Sequence, residues 1–205
     1  MTEHFFYKSD LPDNINFTGS VAIDTETMGL KKNRDRLCLV QIADMFGNVY
    51  LIQFESGKYS APNLKKLLQN NKILKIFHFA RFDMAILKYS LKTKINNIYC
   101  TKIASKLART YSDSHSLKSL VYEFAAVELS KKQQSSDWGS EIFSKEQIKY
   151  AASDVLYLHK IKEKLDAILI REGREKFAKK CFDFLPTLID LDLSGFEEID
   201  IFSHQ

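Results

Sequence analysis

Residues 20–30 read SVAIDTETMGL. The run SVAID has the apolar, β-branched character of a short strand, and Asp24 and Glu26 close it. Side chains alternate across a strand, so Asp24 and Glu26 share one face while Val21, Ile23 and Thr25 point oppositely, into a core. Two carboxylates on one face repel and raise each other's pKa unless a cation sits between them.

Further elements follow from that strand. RLCLVQIAD (36–44) and NVYLIQF (48–54) are strand-like runs joined by a turn at Gly47 and Asn48. NLKKLLQN (63–70) reads as helix, ILKIFHF (73–79) as strand, RFDMAILKYSL (81–91) as helix and NIYCT (97–101) as strand. From there the pattern is helical to the end of the body. Ser144 can cap a helix with Gln147 three residues on, and Phe143 can staple to Ile148. That helix contains Tyr150 and Asp154 and is expected to run towards Ile170, with Gly173 as its stop. Strands followed by alternating helix and strand predict an α/β domain with a mixed sheet flanked by helices.

The 205 residues suit one buried domain, with 45% hydrophobic content and few Gly or Pro for linkers. Cys38, Cys100 and Cys181 lie far apart without a CxxC, which predicts reduced thiols in a cytoplasmic setting. MTEHFFYKSDLPD lacks the basic start and apolar core of a signal peptide, and no apolar run approaches a membrane span. The net charge is +4, but residues 183–205 hold six acids and no Lys or Arg. Residues 1–182 therefore carry 30 basic against 20 acidic side chains, the balance of a phosphate-polymer binder or of an ordinary solvated basic surface. The expected division is a domain over 1–182 and an acidic, apolar extension over 183–205.

Asp83 near the start of the 81–91 helix, and Tyr150 with Asp154 one turn apart on another helix, complete a group of four acids and a phenol. Such a carboxylate group without Cys or His suits a hard divalent cation. Singly, each site has a plain structural reading. Composition alone yields about 0.8 D-x-E triplets, and Asp83 also answers a helix dipole. Order, placement and flanking residues decide otherwise.

The strings VAIDTET, HFARFD and YAASD, in this order, resemble the three motifs of the DEDD 3′–5′ exonucleases. Tyr150, four before Asp154, resembles the tyrosine-bearing branch that includes ribonuclease D, as do HSLKSL (115–120) and SDW (136–138). IDTETMGLKKNRDRLCLVQ and the closing LIDLDLSGFEEIDIFSH are similar to the compact bacterial NrnC-type oligoribonucleases.

The resemblance implies a ribonuclease H-like fold and two Mg²⁺ or Mn²⁺ ions per active site. Asp24 would be shared between them, Glu26 and Asp154 would complete the site of the water-activating ion, and Asp83 would hold the second. Tyr150 would aim the water. Thr25, Thr27, Met28, Gly29 and Leu30 would lie where the family places the 3′ nucleotide. Leu30 could wedge against a base and Phe82 could stack on one, or both could be core. His78 and His115 could contact phosphate or ribose, or His78 could be a satisfied core residue; Ser116 would contact substrate, and Trp138 would be structural or line the rim. The loop Lys31–Arg36 attracts phosphates or is a solvated turn.

The implied activity is degradation of short single-stranded RNA and dinucleotides to mononucleotides. The alternatives are broader trimming of RNA or DNA ends and, least favoured, a non-catalytic nucleic-acid-binding scaffold. The apolar residues of 183–205 predict burial in a homo-oligomer, an octameric ring by resemblance.

Overall fold

In the computed structural model, which describes residues 3–130 and 132–204, the chain forms one six-stranded sheet with helices on both faces. Its elements are β1 (His4–Lys8), β2 (Ser20–Thr27), β3 (Leu37–Ala43), β4 (Val49–Gln53), α1 (Pro62–Gln69), β5 (Leu74–Phe77), α2 (Ala80–Leu91) and β6 (Ile98–Cys100). The helices α3 (Thr101–Ala108), α4 (Leu117–Ala125), α5 (Lys145–Leu156), α6 (Leu158–Arg171) and α7 (Glu175–Leu191) follow, with a π-helical turn over Asp192–Phe196. Strand order is β1-β4-β3-β2-β5-β6; β2, β3 and β4 are antiparallel neighbours, and the remaining pairings are parallel. The expected mixed sheet is therefore present. No described helix is long and apolar enough to cross a membrane, and the three cysteines are free.

Register positions the acids. Asp24 faces Gln41 across the β2–β3 ladder and Glu26 faces Leu39, so these four share one side of the sheet. Helix α5 packs on that side, against β2, β3 and β4. The register shifts between Glu26 and Thr27, and such bulges re-aim side chains beside active sites. Strand β5 pairs with β2 only as far as Ala22, so the C-terminal half of β2 has an open flank beside the end of β5. Chain excursions from β2 go to β3 on one side and return to β5 on the other, which is where parallel α/β sheets open a ligand crevice.

Four expectations need correction. Strand β1 is unforeseen because an edge strand with alternate exposed residues carries little local signal; its ladder with β4 makes it. The helix expected over Tyr150–Ile170 is broken at Tyr157, giving α5 and α6. Ser153 donates its hydroxyl to the Tyr150 carbonyl, a competition with the helix ladder that bends helices. Residues 126–144 contain no helix among those described, although the pattern had read as helical throughout. Finally, α7 passes through residue 182 unbroken and buries Phe182, Leu185 and Ile189, so the expected boundary falls inside a helix.

Candidate active site

The N-terminus of α5 is built as the sequence predicts. Ser144 accepts from Gln147 N at 3.1 Å while the Gln147 side chain accepts from Ser144 N at 2.9 Å. This box fixes the helix start, and the helix then presents Tyr150 and Asp154, one turn apart, to β2. Trp138 is buried beneath them, its ring 6.1 Å from that of Tyr150 and 5.5 Å from Phe143. Its role is thus to pack the helix, while its edge also lines the cleft.

Asp24, Glu26 and Asp154 present carboxylate oxygens within 4.8 Å of one another. Asp83 joins them from the other side of the sheet: Thr25, which points away from Asp24 and Glu26, donates its hydroxyl to Asp83 Oδ1 at 2.7 Å. The helix that carries Asp83 packs on β2, β3 and β5. Two helices on opposite faces thereby meet at the open flank of β2.

Among the described residues no Lys, Arg or His forms an ion pair with any of the four acids. Burial pushes Asp24 well up, and the neighbouring Asp83, Asp154 and Glu26 push it further. Burial, then Asp154 and Asp83, raises Glu26 to about 9. Burial also raises Asp83 and Asp154 to about 7, with Thr25 and Tyr150 opposing the rise. Burying several like charges without a counter-ion is costly. The donor set is all oxygen and crowded, which fits divalent Mg²⁺ or Mn²⁺ well. The Tyr150 phenol is raised by burial first and then by Asp154, so it stays protonated.

The four acids and Tyr150 line a cleft of about 650 Å³ together with Thr25, Thr27, Met28, Gly29, Leu30, His78, Phe82 and Ser116. Leu30 is 82% exposed, against the core reading; Phe82 is partly buried against the core, so packing claims much of its ring. His115 is not in the lining, because its Nδ1 lies 2.9 Å from Ser105 Oγ on α3. A groove of about 710 Å³ between β6, α6 and α7 is slightly larger, but among the described residues no three ligating side chains there come within reach of one ion.

His78 reaches Thr101 on α3. Its Nδ1 lies 2.9 Å from Thr101 Oγ1, whose hydroxyl also lies 3.1 Å from the Phe77 carbonyl oxygen. Burial, aided by Lys102, pushes the pKa down to about 3, so the ring is neutral.

The basic loop is mostly committed within the chain. Lys32 is buried and bonds Asp192 at 3.0 Å and Glu197 at 2.6 Å. Arg34 pairs with Asp35, and Arg36 donates to the Phe54 and Gly139 carbonyls. The Asp35 carboxylate folds back onto Gly29 and accepts from Lys31 N, leaving no room for a side chain at Gly29. This favours the structural reading of the loop over phosphate attraction.

Several lining residues escaped the sequence reading: Phe79, Lys102, Lys118, Gln134 and Ser136. Gln41 was missed too; it is fully buried opposite Asp24, with Nε2 3.5 Å from Glu26 Oε1. A lone polar residue inside the apolar run LCLVQIA was the available signal.

Comparison with known proteins agrees with this geometry. The pattern of the 3′–5′ exonuclease family matches residues 8–170. Ribonuclease D of Acidiphilium cryptum is 32% identical over 154 residues, which are 75% of this chain and 39% of that protein. This chain thus corresponds to about two fifths of the curated ribonuclease D relative. Brucella melitensis NrnC with bound Mg²⁺ is 51% identical and superimposes over 100% of both chains with a TM-score of 0.95. The same protein bound to pGG gives 51% identity, 100% coverage of both chains and a TM-score of 0.96.

Proposed function

Because the chain belongs to the 3′–5′ exonuclease family, we propose that it is a metal-dependent exoribonuclease that degrades short oligoribonucleotides, dinucleotides included, to mononucleotides. The observation that carries the reading is the group of four acids, Asp83 buried and Asp24, Glu26 and Asp154 half-buried, uncompensated by any cation of the described chain. Full-length likeness to an NrnC that binds pGG supports the short substrate.

Asp24, Glu26 and Asp154 would hold one divalent ion, and Asp24 with Asp83 a second. When bound, such ions lower the pKa of water and neutralise charge on the phosphodiester. Thr25 holds Asp83 in place through its hydroxyl. Tyr150, protonated throughout, orients the attacking water and does not take its proton. The water oxygen bonds to phosphorus as the bond to the 3′ oxygen breaks; the water's proton passes to solvent and the departing 3′ oxygen takes one up, leaving a 5′-monophosphate and a new 3′-hydroxyl. A neutral His78 in the cleft lining is suited to hydrogen-bond a ribose hydroxyl.

The decisive assay follows hydrolysis of a 5′-phosphorylated diribonucleotide, its deoxy counterpart, long single-stranded RNA and duplex DNA, with Mg²⁺ or Mn²⁺ and with Asp83→Ala as blank. The expected result is preferential loss of the diribonucleotide, at least about tenfold over the deoxy form, as befits the loss of one hydroxyl hydrogen bond. Comparable trimming of all four substrates would replace this reading with general end processing. No metal-dependent cleavage at all would leave a binding scaffold.

We also propose that other copies of this chain cover its C-terminal segment. Phe196, Ile199, Ile201 and Phe202 are exposed together at 44, 55, 47 and 78%, an apolar group uncommon on a solvated surface. A ring of copies would narrow access to each cleft and favour short substrates. Light scattering on the purified protein should return a multiple of 23.7 kDa; a monomer would refute the assembly and leave the catalytic reading intact.

A further inference from the structure

Phe79 stands between β5 and α2, at the N-cap of the helix that carries Asp83. Two features there disfavour a phenylalanine. Its backbone is left-handed, with φ 70° and ψ 46°, a conformation that bulky residues rarely adopt. The N-cap position also calls for a short polar side chain, and none caps this helix. Asparagine would satisfy both requirements.

Core packing does not explain the residue either. The Phe79 ring is 44% exposed, whereas Phe77, two residues earlier, is fully buried. The ring lines the same cleft as Asp24, Glu26 and Asp83. Lys102, also in the lining, places Nζ 4.2 Å over the ring centroid, a cation–π contact that restrains it. Backbone strain of this kind persists at ligand clamps, where the side chain is needed despite its cost.

We propose that Phe79 is the surface on which one nucleobase of the substrate stacks. Every base has a π-face, so this contact accepts any base and selects for a base being present. The inference rests on the nuclease reading above and adds the residue that grips the substrate away from the phosphate.

The test measures kcat/KM for a diribonucleotide and for two analogues, each lacking one base, in the wild type, Phe79→Asn and Phe79→Leu. In the wild type, removal of one of the two bases should cost about tenfold or more. In Phe79→Asn that ratio should fall to about one while Tm rises by about 2–4 °C, because the strain is relieved. Phe79→Leu, apolar without a π-face, should give an intermediate ratio at unchanged Tm. An unaltered ratio in Phe79→Asn, or a wild type indifferent to both bases, would overturn the proposal. A fall in Tm with the ratio unchanged would mark Phe79 as a packing residue. Should the wild type cleave only long RNA, the short-substrate reading fails; the same ratio, read on RNA with an abasic 3′-terminal nucleotide, then decides Phe79 separately.

Discussion

Asp24→Asn should abolish nuclease activity and, in the absence of divalent metal, make the protein more stable at alkaline pH. The activity loss is expected to be about 10³-fold or greater, equivalent to about 4 kcal/mol, since the residue sits among all three other acids and would hold both ions. The stability gain follows from sign. The folded pKa values of Asp24, Glu26, Asp83 and Asp154 all lie above their ordinary values. The folded chain therefore binds more protons than the unfolded one, and stability falls as pH rises from about 4 through the raised values near 7 and 9. Removing one charge should flatten that decline and raise the metal-free Tm at pH 8 by about 2–6 °C. Gln41, whose Oε1 has no partner among the described residues and whose backbone faces position 24, is placed to accept from the new amide. Calorimetry at pH 5 and pH 8, with EDTA and with Mg²⁺, checks each part. Mg²⁺ should raise the wild-type Tm by several degrees and the variant's by much less. A variant that melts lower than wild type at pH 8 without metal would show that the carboxylates do not repel as argued.

Asp192→Ala should lower Tm by about 6–12 °C, corresponding to about 3 kcal/mol, and cut kcat/KM by about tenfold. Asp192 belongs to the C-terminal segment, yet its side chain is almost wholly buried between two cations. Arg81 grips it in bidentate fashion at 2.7 and 2.6 Å, and Lys32 donates at 3.0 Å. Burial pushes the carboxyl up, but Arg81 and Lys32 outweigh it and hold the pKa below the ordinary range. Losing the carboxylate leaves Lys32 buried with only the more exposed Glu197. The activity effect arises because Lys32 lies two residues beyond Leu30 and Arg81 two residues before Asp83. The pair thus anchors both segments that shape the cleft. Circular dichroism melts and steady-state kinetics on the same preparation check the two effects. Full activity in a protein melting 10 °C lower would separate the latch from the site.

Much of the site was legible in the chain because its chemistry repeats local periods. The two-residue spacing of Asp24 and Glu26 places both on one face of a strand, and the four-residue spacing of Tyr150 and Asp154 places both on one face of a helix. The Ser144–Gln147 capping box was readable for the same reason, since its partners are three residues apart. His115 was expected at the cleft, but a polar helix-start context looks alike whether its imidazole faces a cleft or, as here, a serine on the preceding helix. Phe79 was passed over because nothing in HFARFD distinguishes a left-handed, exposed phenylalanine from a core one.

The acids, their order and the strand and helix periods that carry them are thus written in the sequence, since each depends on neighbours within a turn or a pleat. Four things depended on residues far apart in the chain coming together. These are the arrival of Asp83 from the opposite face of the sheet, its tether to Thr25 across 58 residues, the edge pairing that makes β1, and the latch joining Asp192 to Lys32 across 160. Such contacts exist only once the sheet has brought distant segments into register, and no local pattern encodes them.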